Sequence, residues 1–489
     1  MVKRVSYALS VGADGKQTGL APTATAPVAQ LTPPGTAWPG LLRAHAARTA
    51  ADPQAANFRS ELGLPTGKPV VMSGHQAQWW HAGIFAKQIA LAALCEGASA
   101  AGAWVVVDQD ASDSLTIAYP ARAVGGTLPS RGTWALAPEP IAAHLRADVA
   151  LCDLPTFAPT PPPTDAATPD IARALRAIAD CTARWAHAAS AAEQIARANA
   201  ELAAAALGPA QTPTLFFATD LLRTAAARAL IERMAEDPAA CSRAYNRAVA
   251  ESGVHTVAPL SAAPDKGRFE LPLWQLSGKG NKPTPRRRVF ASTLGDTPLD
   301  SLAPRGVLMT ALLRWPGCDL FIHGTGGGAT GEAGGYDKVA EHWMRNWLGA
   351  ELAPSVVATA TALLPMGAAP TLAEPDLVAA HRRLENARHA PRTLGDAAAQ
   401  RHKDALVAQI AATADRSERL RLYKQLQHHL EAYRTAHAAE LQAAGQAAAD
   451  TAEELGRQSI LRERTWPWPL LPRTMVLELQ RTVRVQLKP

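Results

Sequence analysis

The chain has 489 residues, 47% of them hydrophobic and 19% charged, with a formal net charge of +6 and an isoelectric point near 9.1. At roughly 100–200 residues per domain this length allows two to four domains, and the apolar fraction supports sizeable cores. The positive excess is spread too thinly to indicate nucleic acid, and it is compatible with small anionic ligands. Five cysteines (Cys95, Cys152, Cys181, Cys241, Cys318) are odd in number and form no CxxC pair. Reduced, buried thiols are therefore expected rather than a disulfide framework or a zinc site. Residues 1–20 carry no apolar signal-peptide core, and no apolar run reaches the roughly 18 residues of a membrane span. A cytoplasmic protein without membrane or nucleic-acid partners is expected.

Residues 1–66 read as an irregular N-terminal segment with a helix near Trp38–Thr49. A buried strand is expected over 68–72, a helix over 82–97, and a second strand over Ala103–Val107. Strand, helix and strand within about forty residues have the length of a βαβ unit. Its right-handed crossover brings the turn after the first strand beside Asp108 and Asp110. A Pro/Thr-rich linker covers 155–164, and helical texture fills 165–208. A third strand is expected over Thr214–Ala218, a hairpin over 265–295, and a fourth strand over Cys318–His323. From 372 to 462 strand signals vanish, and Leu420, Leu426, Leu430, Tyr433, His437 and Leu441 recur mostly at three- and four-residue steps. Breaks at Pro391 and near Asp415 predict antiparallel helices in a coiled-coil-like arm. Residues 463–489 read as a tail packing back on the core.

Three clusters carry candidate chemistry. The first contains Gly74, His75, Gln76, His81, Gly83 and Lys87, where the strand hands over to a helix. Imidazole, amide and ammonium groups there suit a phosphate or carboxylate, aided by the positive end of the helix. The spacing is similar to the HxGH logic of nucleotidyl-transferring folds, but Ile84 stands where the second histidine would be. A capped turn with a core histidine is the structural alternative. The second cluster is Asp108 and Asp110, with Asp113 close behind. Carboxylates two apart after a strand suit Mg²⁺ or a substrate ammonium, or else cap the following turn. The third is His323, Gly324, Gly326, Gly327 and Gly328, followed by Gly331, Gly334, Gly335, Tyr336 and Asp337. It matches the dinucleotide fingerprint in letters only, because Gly334 and Gly335 interrupt the expected helix and no acidic strand end follows. A glycine-rich loop after a strand still suits an anion, and a flexible connector is the alternative. The basic set Lys279, Lys282, Arg286, Arg287 and Arg288 reads as a solvated hairpin tip rather than a phosphate clamp.

These residues occur in a telling order: Val70-Val71-x-Ser73-Gly74-His75-Gln76, His81-x-Gly83, Val105-Val106-Val107-Asp108-x-Asp110, Leu215 to Asp220, Asp319 to Gly324, and Tyr336-Asp337 before a helical arm. The pattern resembles, distantly but over most of the chain, the cysteine-adding enzymes of bacillithiol biosynthesis and their relatives. The resemblance implies a Rossmann-like α/β core with a parallel sheet over 67–371, small inserted subdomains at 165–208 and 265–295, and a C-terminal coiled-coil arm at 372–462 that forms a homodimer. It also implies a ligase forming a C–N bond on a small anionic, amine-bearing metabolite, with ATP or ADP, and Mg²⁺ at Asp108 and Asp110. That family is proposed to join cysteine to glucosaminyl malate. His75, His81 and His323 would be catalytic. Gly74, Gln76, Gly83, Lys87, Asp108, Asp110, Gly324, Gly326, Gly327, Gly328, Tyr336 and Asp337 would bind substrate or nucleotide. Histidine at 75 replaces a usual glutamine, and Asp-Gln-Asp at 108–110 replaces an acid-rich, histidine-containing motif, which bears on the substrate more than on the fold. A non-catalytic binding protein or a coiled-coil assembly protein that retains the fold is the alternative.

Overall fold

The structure is a computed structural model describing residues 26–111, 114–122, 129–209, 212–263, 265, 267–278, 282–328, 335–366 and 371–488. Asp113, Lys279, Gly331, Gly334 and the first 25 residues therefore lie outside the described residues. Strand β1 (Val28–Thr32) precedes helices α1 (Trp38–Thr49) and α2 (Pro53–Glu61). Proline in the first turn of both helices suits positions whose N–H has no helical partner. Next come β2 (Val70–Gln76), α3 (Ala82–Ala98) and β3 (Ala101–Val107). A two-stranded ribbon, β4 (Thr116–Ala121) and β5 (Ser130–Ala135), leads to α4 (Glu139–Arg146), α5 (Pro169–Arg184) and α6 (Ala191–Leu207). Then follow β6 (Thr214–Phe217), α7 (Ala225–Glu236) and α8 (Pro238–Ser252).

A second sheet contains β7 (Ala262–Ala263), β8 (Arg268–Gln275), β9 (Arg287–Phe290) and, after the short α9 (Ala291–Leu294), β10 (Leu302–Pro304). The chain returns through α10 (Gly306–Leu312), a π turn at Leu313–Gly317, β11 (Leu320–His323), α11 (Tyr336–Leu348) and β12 (Ser355–Thr361). The last helices are α12 (Glu374–His389), α13 (Ala397–Ala412), α14 (Arg416–Ala436), α15 (Ala438–Gln458) and α16 (Arg473–Leu487).

The fold is mixed α/β, built on a six-stranded, mostly parallel sheet in the order β1-β12-β11-β2-β3-β6. The five strands other than β1 run parallel, and β1 is antiparallel to β12. The chain thus winds outward from β2 through β3 to β6, then returns to β2's other side through β11 and β12. The order reverses between β2 and β11. Side chains alternate across a strand, and the sequence uses this to feed two cores. Val71, Trp104, Val106, Leu320 and Ile322 face a layer containing α3, α5, α6 and α16. Val70, Met72, Ala103, Val105 and Phe321 face α7, α8, α10 and α11. Helix α3 is buried nearly all round, as an apolar helix without a polar face must be.

The structure departs from the sequence reading at both ends. Part of the segment expected to be irregular forms β1, which closes one edge of the main sheet. The C-terminal tail contains a full amphipathic helix, α16, which buries Met475, Val476, Leu479, Val483 and Leu487. The dense prolines at 467, 469 and 472 hide where that helix begins. The 155–164 stretch has no regular structure but is pinned, since Gln194 accepts from Phe157 N at 3.0 Å and donates to Phe157 O at 2.8 Å. The breaks at Pro391 and Asp415 fall where expected, and Asp415 caps α14 through Glu418 N at 2.8 Å. Helix α12 packs on α15, and α13 on α14. Gln458 Oε1 joins the two ends of this region by accepting from Thr371 N and Leu372 N at 2.8 and 2.9 Å.

Below the sheet, Asp319 is completely buried just before β11. It accepts from Val70 N at 2.8 Å and Thr49 Oγ1 at 2.8 Å, pairs with Arg59 at 3.0 Å, and lies 3.4 Å from His45 Nδ1. One carboxylate therefore fastens α1, α2 and β2 to β11.

Candidate functional site

In open α/β sheets, ligands bind beyond the carboxyl ends of the strands where the order reverses. Here that place is the sheet edge where β2 and β11 end side by side. Strand β2 ends in His75 and Gln76, α3 begins after His81, and β11 ends in His323. Two sequence clusters 240 or more residues apart thus meet at one edge.

Lys87 is the hub. It is 3% exposed, and its Nζ donates to Gly74 O at 2.5 Å. It also lies 5.2 Å from the Trp104 ring centre, and a side chain at Gly324 would come within 3.7 Å of its Cδ. Burial pushes its pKa down to about 7. No carboxylate pairs with it among the described residues.

Three histidines surround this amine. His75 Nδ1 accepts from Gln78 Nε2 at 3.3 Å, and His81 Nδ1 accepts from Gly83 N at 3.1 Å while capping α3. Each neutral ring therefore carries its proton on Nε2 and is a donor there. Burial, then the charges of Lys87 and His81, hold His75 well below the usual imidazole range. Burial, Arg464 and Lys87 lower His81. His323 is 8% exposed, and its Nε2 has no hydrogen-bond partner among the described residues. Burial pushes it down to about 3, against the raising influence of Asp337 and with the lowering influence of Arg314 and Lys87.

The glycine loop is a tight wrap around His323. Gly327 N and Gly328 N both donate to Gly324 O, at 3.1 and 3.0 Å. A Cβ at Gly327 would lie 2.6 Å from His323 Nδ1, and one at Gly335 would lie 2.2 Å from Gly327 O. These glycines permit close packing, and two of the loop's amides are already engaged within it. Helix α11 opens only at Tyr336, beyond the fingerprint letters. Asp337 is buried, accepts from Ser355 Oγ at 2.7 Å and donates its N–H to Gly327 O at 3.3 Å. Arg314, in the π turn, donates to Ala353 O, Asp337 O and Glu341 and so clamps α11 against β12.

Other predicted site residues have different partners. Gly74 is required by packing, since a Cβ there would meet Val105 Cγ1 at 2.2 Å and Val105 O at 2.4 Å. Gly326 and Tyr336 are exposed. Asp108 faces away from the histidines' partners and accepts from Thr219 N and Oγ1 at 3.1 and 2.6 Å. Its burial raises its pKa to about 7 in spite of those bonds. Asp110 accepts from Gln76 Nε2 at 3.2 Å and Ala111 N at 2.9 Å, and pairs with Arg286 at 3.2 Å. The two carboxylates, though adjacent to the β2 turn as predicted, are committed to different partners. Among the described residues no group of three or more His, Cys, Asp or Glu side chains is placed to hold a metal ion.

Arg286 corrects the solvated-tip expectation. Its side chain is 13% exposed, stacks 4.8 Å from the Trp274 ring centre, and donates to Gln109 O, Asp110 and Asp148. Arg287 and Arg288 remain exposed, although Arg288 reaches the buried Glu270 at 3.4 Å. Three consecutive arginines give no sequence signal for which one turns inward. The tail also reaches the site. Pro467 bridges His81, Trp468 N donates to Trp80 O at 2.6 Å, and the Trp468 ring stacks on Phe85 at 4.2 Å. Trp468 Nε1 donates to Asn199 at 2.9 Å. Trp468→Ala is expected to cost about 3–5 kcal/mol by opening this buried stack, measured as a lower midpoint in urea unfolding; a loss under about 1 kcal/mol would show that the tail is not anchored there.

Two clefts lie elsewhere. One of about 500 Å³ rests against α12 alone, and one of about 360 Å³ lies beside β6, where Arg197 and Arg223 already pair with Glu193 and Asp220. No helix among the described residues is long and apolar enough to cross a membrane. Comparison with protein-family models and with curated proteins finds no match for this chain.

Proposed function

We propose that the protein is an enzyme, a nucleotide-dependent ligase or transferase that forms a C–N bond on a small anionic, amine-bearing metabolite, related to the cysteine-adding enzymes of bacillithiol biosynthesis. One observation carries this reading: His75, His81, Lys87 and His323 converge where the strand order reverses. The parallel strands, numbered along the chain, lie in the order 3-2-1-4-5, which is that of doubly wound, Rossmann-like folds. In this reading the Nε2–H groups of His75 and His81 orient the anionic part of the substrate. The Lys87 amine and the His323 ring stabilise charge as it develops. Gln76, held by Asp110, which Arg286 holds in turn, shapes the wall next to His75. Any Mg²⁺ accompanies the nucleotide's phosphates, because Asp108 and Asp110 are otherwise bonded. The helical region 372–462 is the coiled-coil-like arm of a homodimer, and five unpaired cysteines suit a reducing cytoplasmic setting.

Calorimetric titration of the full chain with Mg·ATP tests the reading. Binding is expected in the wild type and at least about tenfold weaker in His75→Ala and His323→Ala, the loss of one charge-assisted hydrogen bond or more. Undetectable binding by the wild-type protein would overturn nucleotide dependence.

A further inference from the structure

The site holds four nitrogen bases and, among the described residues, no carboxylate bonded to any of them. Lys87 donates to a carbonyl, His75 accepts from an amide side chain, and His81 accepts from a backbone amide. His323 Nε2 is buried without a partner among the described residues. Asp337 acts on His323 through space, but its own oxygens are engaged by Ser355 and Lys338 N. Asp110 is held on Arg286. Arg314, a permanent cation that acts on His323, is engaged by Glu341 and by carbonyl oxygens. From the tail, Arg464 and Glu463 act on His81 in opposite directions, and Glu463 is itself held by Arg131; Trp104, from β3, lies against Lys87. The site therefore offers N–H donors, and its own buried cation, Lys87, has no carboxylate bonded to it among the described residues.

The choice of lysine adds to this. Only 11 of the 49 basic residues are lysine, so arginine is this chain's default cation. Lysine differs from arginine in that burial can discharge it.

We propose that the site is an oxyanion seat whose cation is made by binding: a carboxylate or phosphoryl group settles against Lys87, His75 and His81 while Lys87 takes up one proton from solvent. This deepens the reading above and rests on its site. An ammonium buried without a counter-ion is unfavourable, whereas an ammonium paired with an oxyanion is favoured. Proton and anion thus enter together, and the proton offsets one of the oxyanion's negative charges. When the oxyanion leaves, Lys87 gives the proton back.

Titration calorimetry at about pH 8, in buffers of low and high ionisation enthalpy, reads the proton directly. The probes are malonate and phenyl phosphate, both fully ionised at that pH, which separate carboxylate from phosphoryl preference. Wild-type protein is expected to bind at least one probe with uptake of about 0.5–1 proton. Lys87→Arg, permanently charged, is expected to bind with no uptake, and Lys87→Met at least about tenfold more weakly. Binding by the wild type without proton uptake, or uptake that persists in Lys87→Arg, overturns the proposal. Failure of both probes also overturns it. Mg·ATP binding that is lost in His75→Ala would then still stand for the ligase reading, so the two failures are distinguishable.

Discussion

Asp319→Ala is expected to destabilise the protein by about 3–5 kcal/mol. That is a large share of the roughly 5–15 kcal/mol of a typical folded domain. The carboxylate is wholly buried, and its removal leaves the Arg59 guanidinium, 3.0 Å away, without its charge partner. It also strands the Thr49 hydroxyl and the Val70 amide, both 2.8 Å from it. Urea unfolding followed by tryptophan fluorescence measures the loss, and a value under about 1 kcal/mol would remove the fastening role. The pH dependence has a defined sign. Burial by itself raises this carboxyl's pKa, but the His45 contact, Arg59, Val70 N and Thr49 together outweigh it and hold it at about 2. A depressed carboxylate pKa gives stability that is complete above the unfolded value near 4 and lost as pH falls towards 2. Wild-type protein is therefore expected to lose about 2–3 kcal/mol over that window from this group, and Asp319→Ala to lack that component.

Lys87→Met is expected to act in the opposite direction, raising stability at pH 7 by about 2–4 kcal/mol while weakening oxyanion binding. The unfolded amine titrates near 10.4, and the folded one at about 7. Between those values the unfolded state binds more protons, so stability rises with pH over that window. The penalty is complete below about 7 and absent above about 10.4. Methionine fills the same channel beside Trp104 without an amine to desolvate, losing only the bond to Gly74 O. Unfolding curves at pH 7 and pH 10 compare the two proteins, and the gap between them should narrow at the higher pH. If methionine destabilises the fold at both pH values, the lysine is a structural strut rather than a strained functional group.

These two positions also show what was legible in advance. His75, His81 and Lys87 lie within thirteen positions at one strand–helix turn, and the turn itself gives them away. His323 stood out as a histidine at a strand end ahead of glycines. Asp319 gave no such signal, because its partners lie on α1, α2 and β2, some 250 or more residues away in sequence. Arg286 was misread because arginine looks the same at a solvated tip and in a buried fork. Asp108 and Asp110 were adjacent as expected, yet Thr219 and Arg286, brought in by β6 and β9, hold them apart chemically. Helix α16 was hidden behind prolines that the Trp468 stack uses as an anchor.

Local pattern determined strands β2, β3, β6 and β11, helix α3 and the turn that carries His75, His81 and Lys87, since periodicity, caps and breakers act over a few residues; β1, β4, β5 and β12 were not expected from it. The order of the strands was decided only by tertiary packing, because nothing in Cys318–His323 states that it pairs with Val70–Gln76. That pairing places His323 and the glycine loop against Lys87. Burial there lowers the pKa of the lysine and of the three histidines. The sequence by itself determined which residues are available for chemistry; the fold alone decided which of them face one another, and in which charge state.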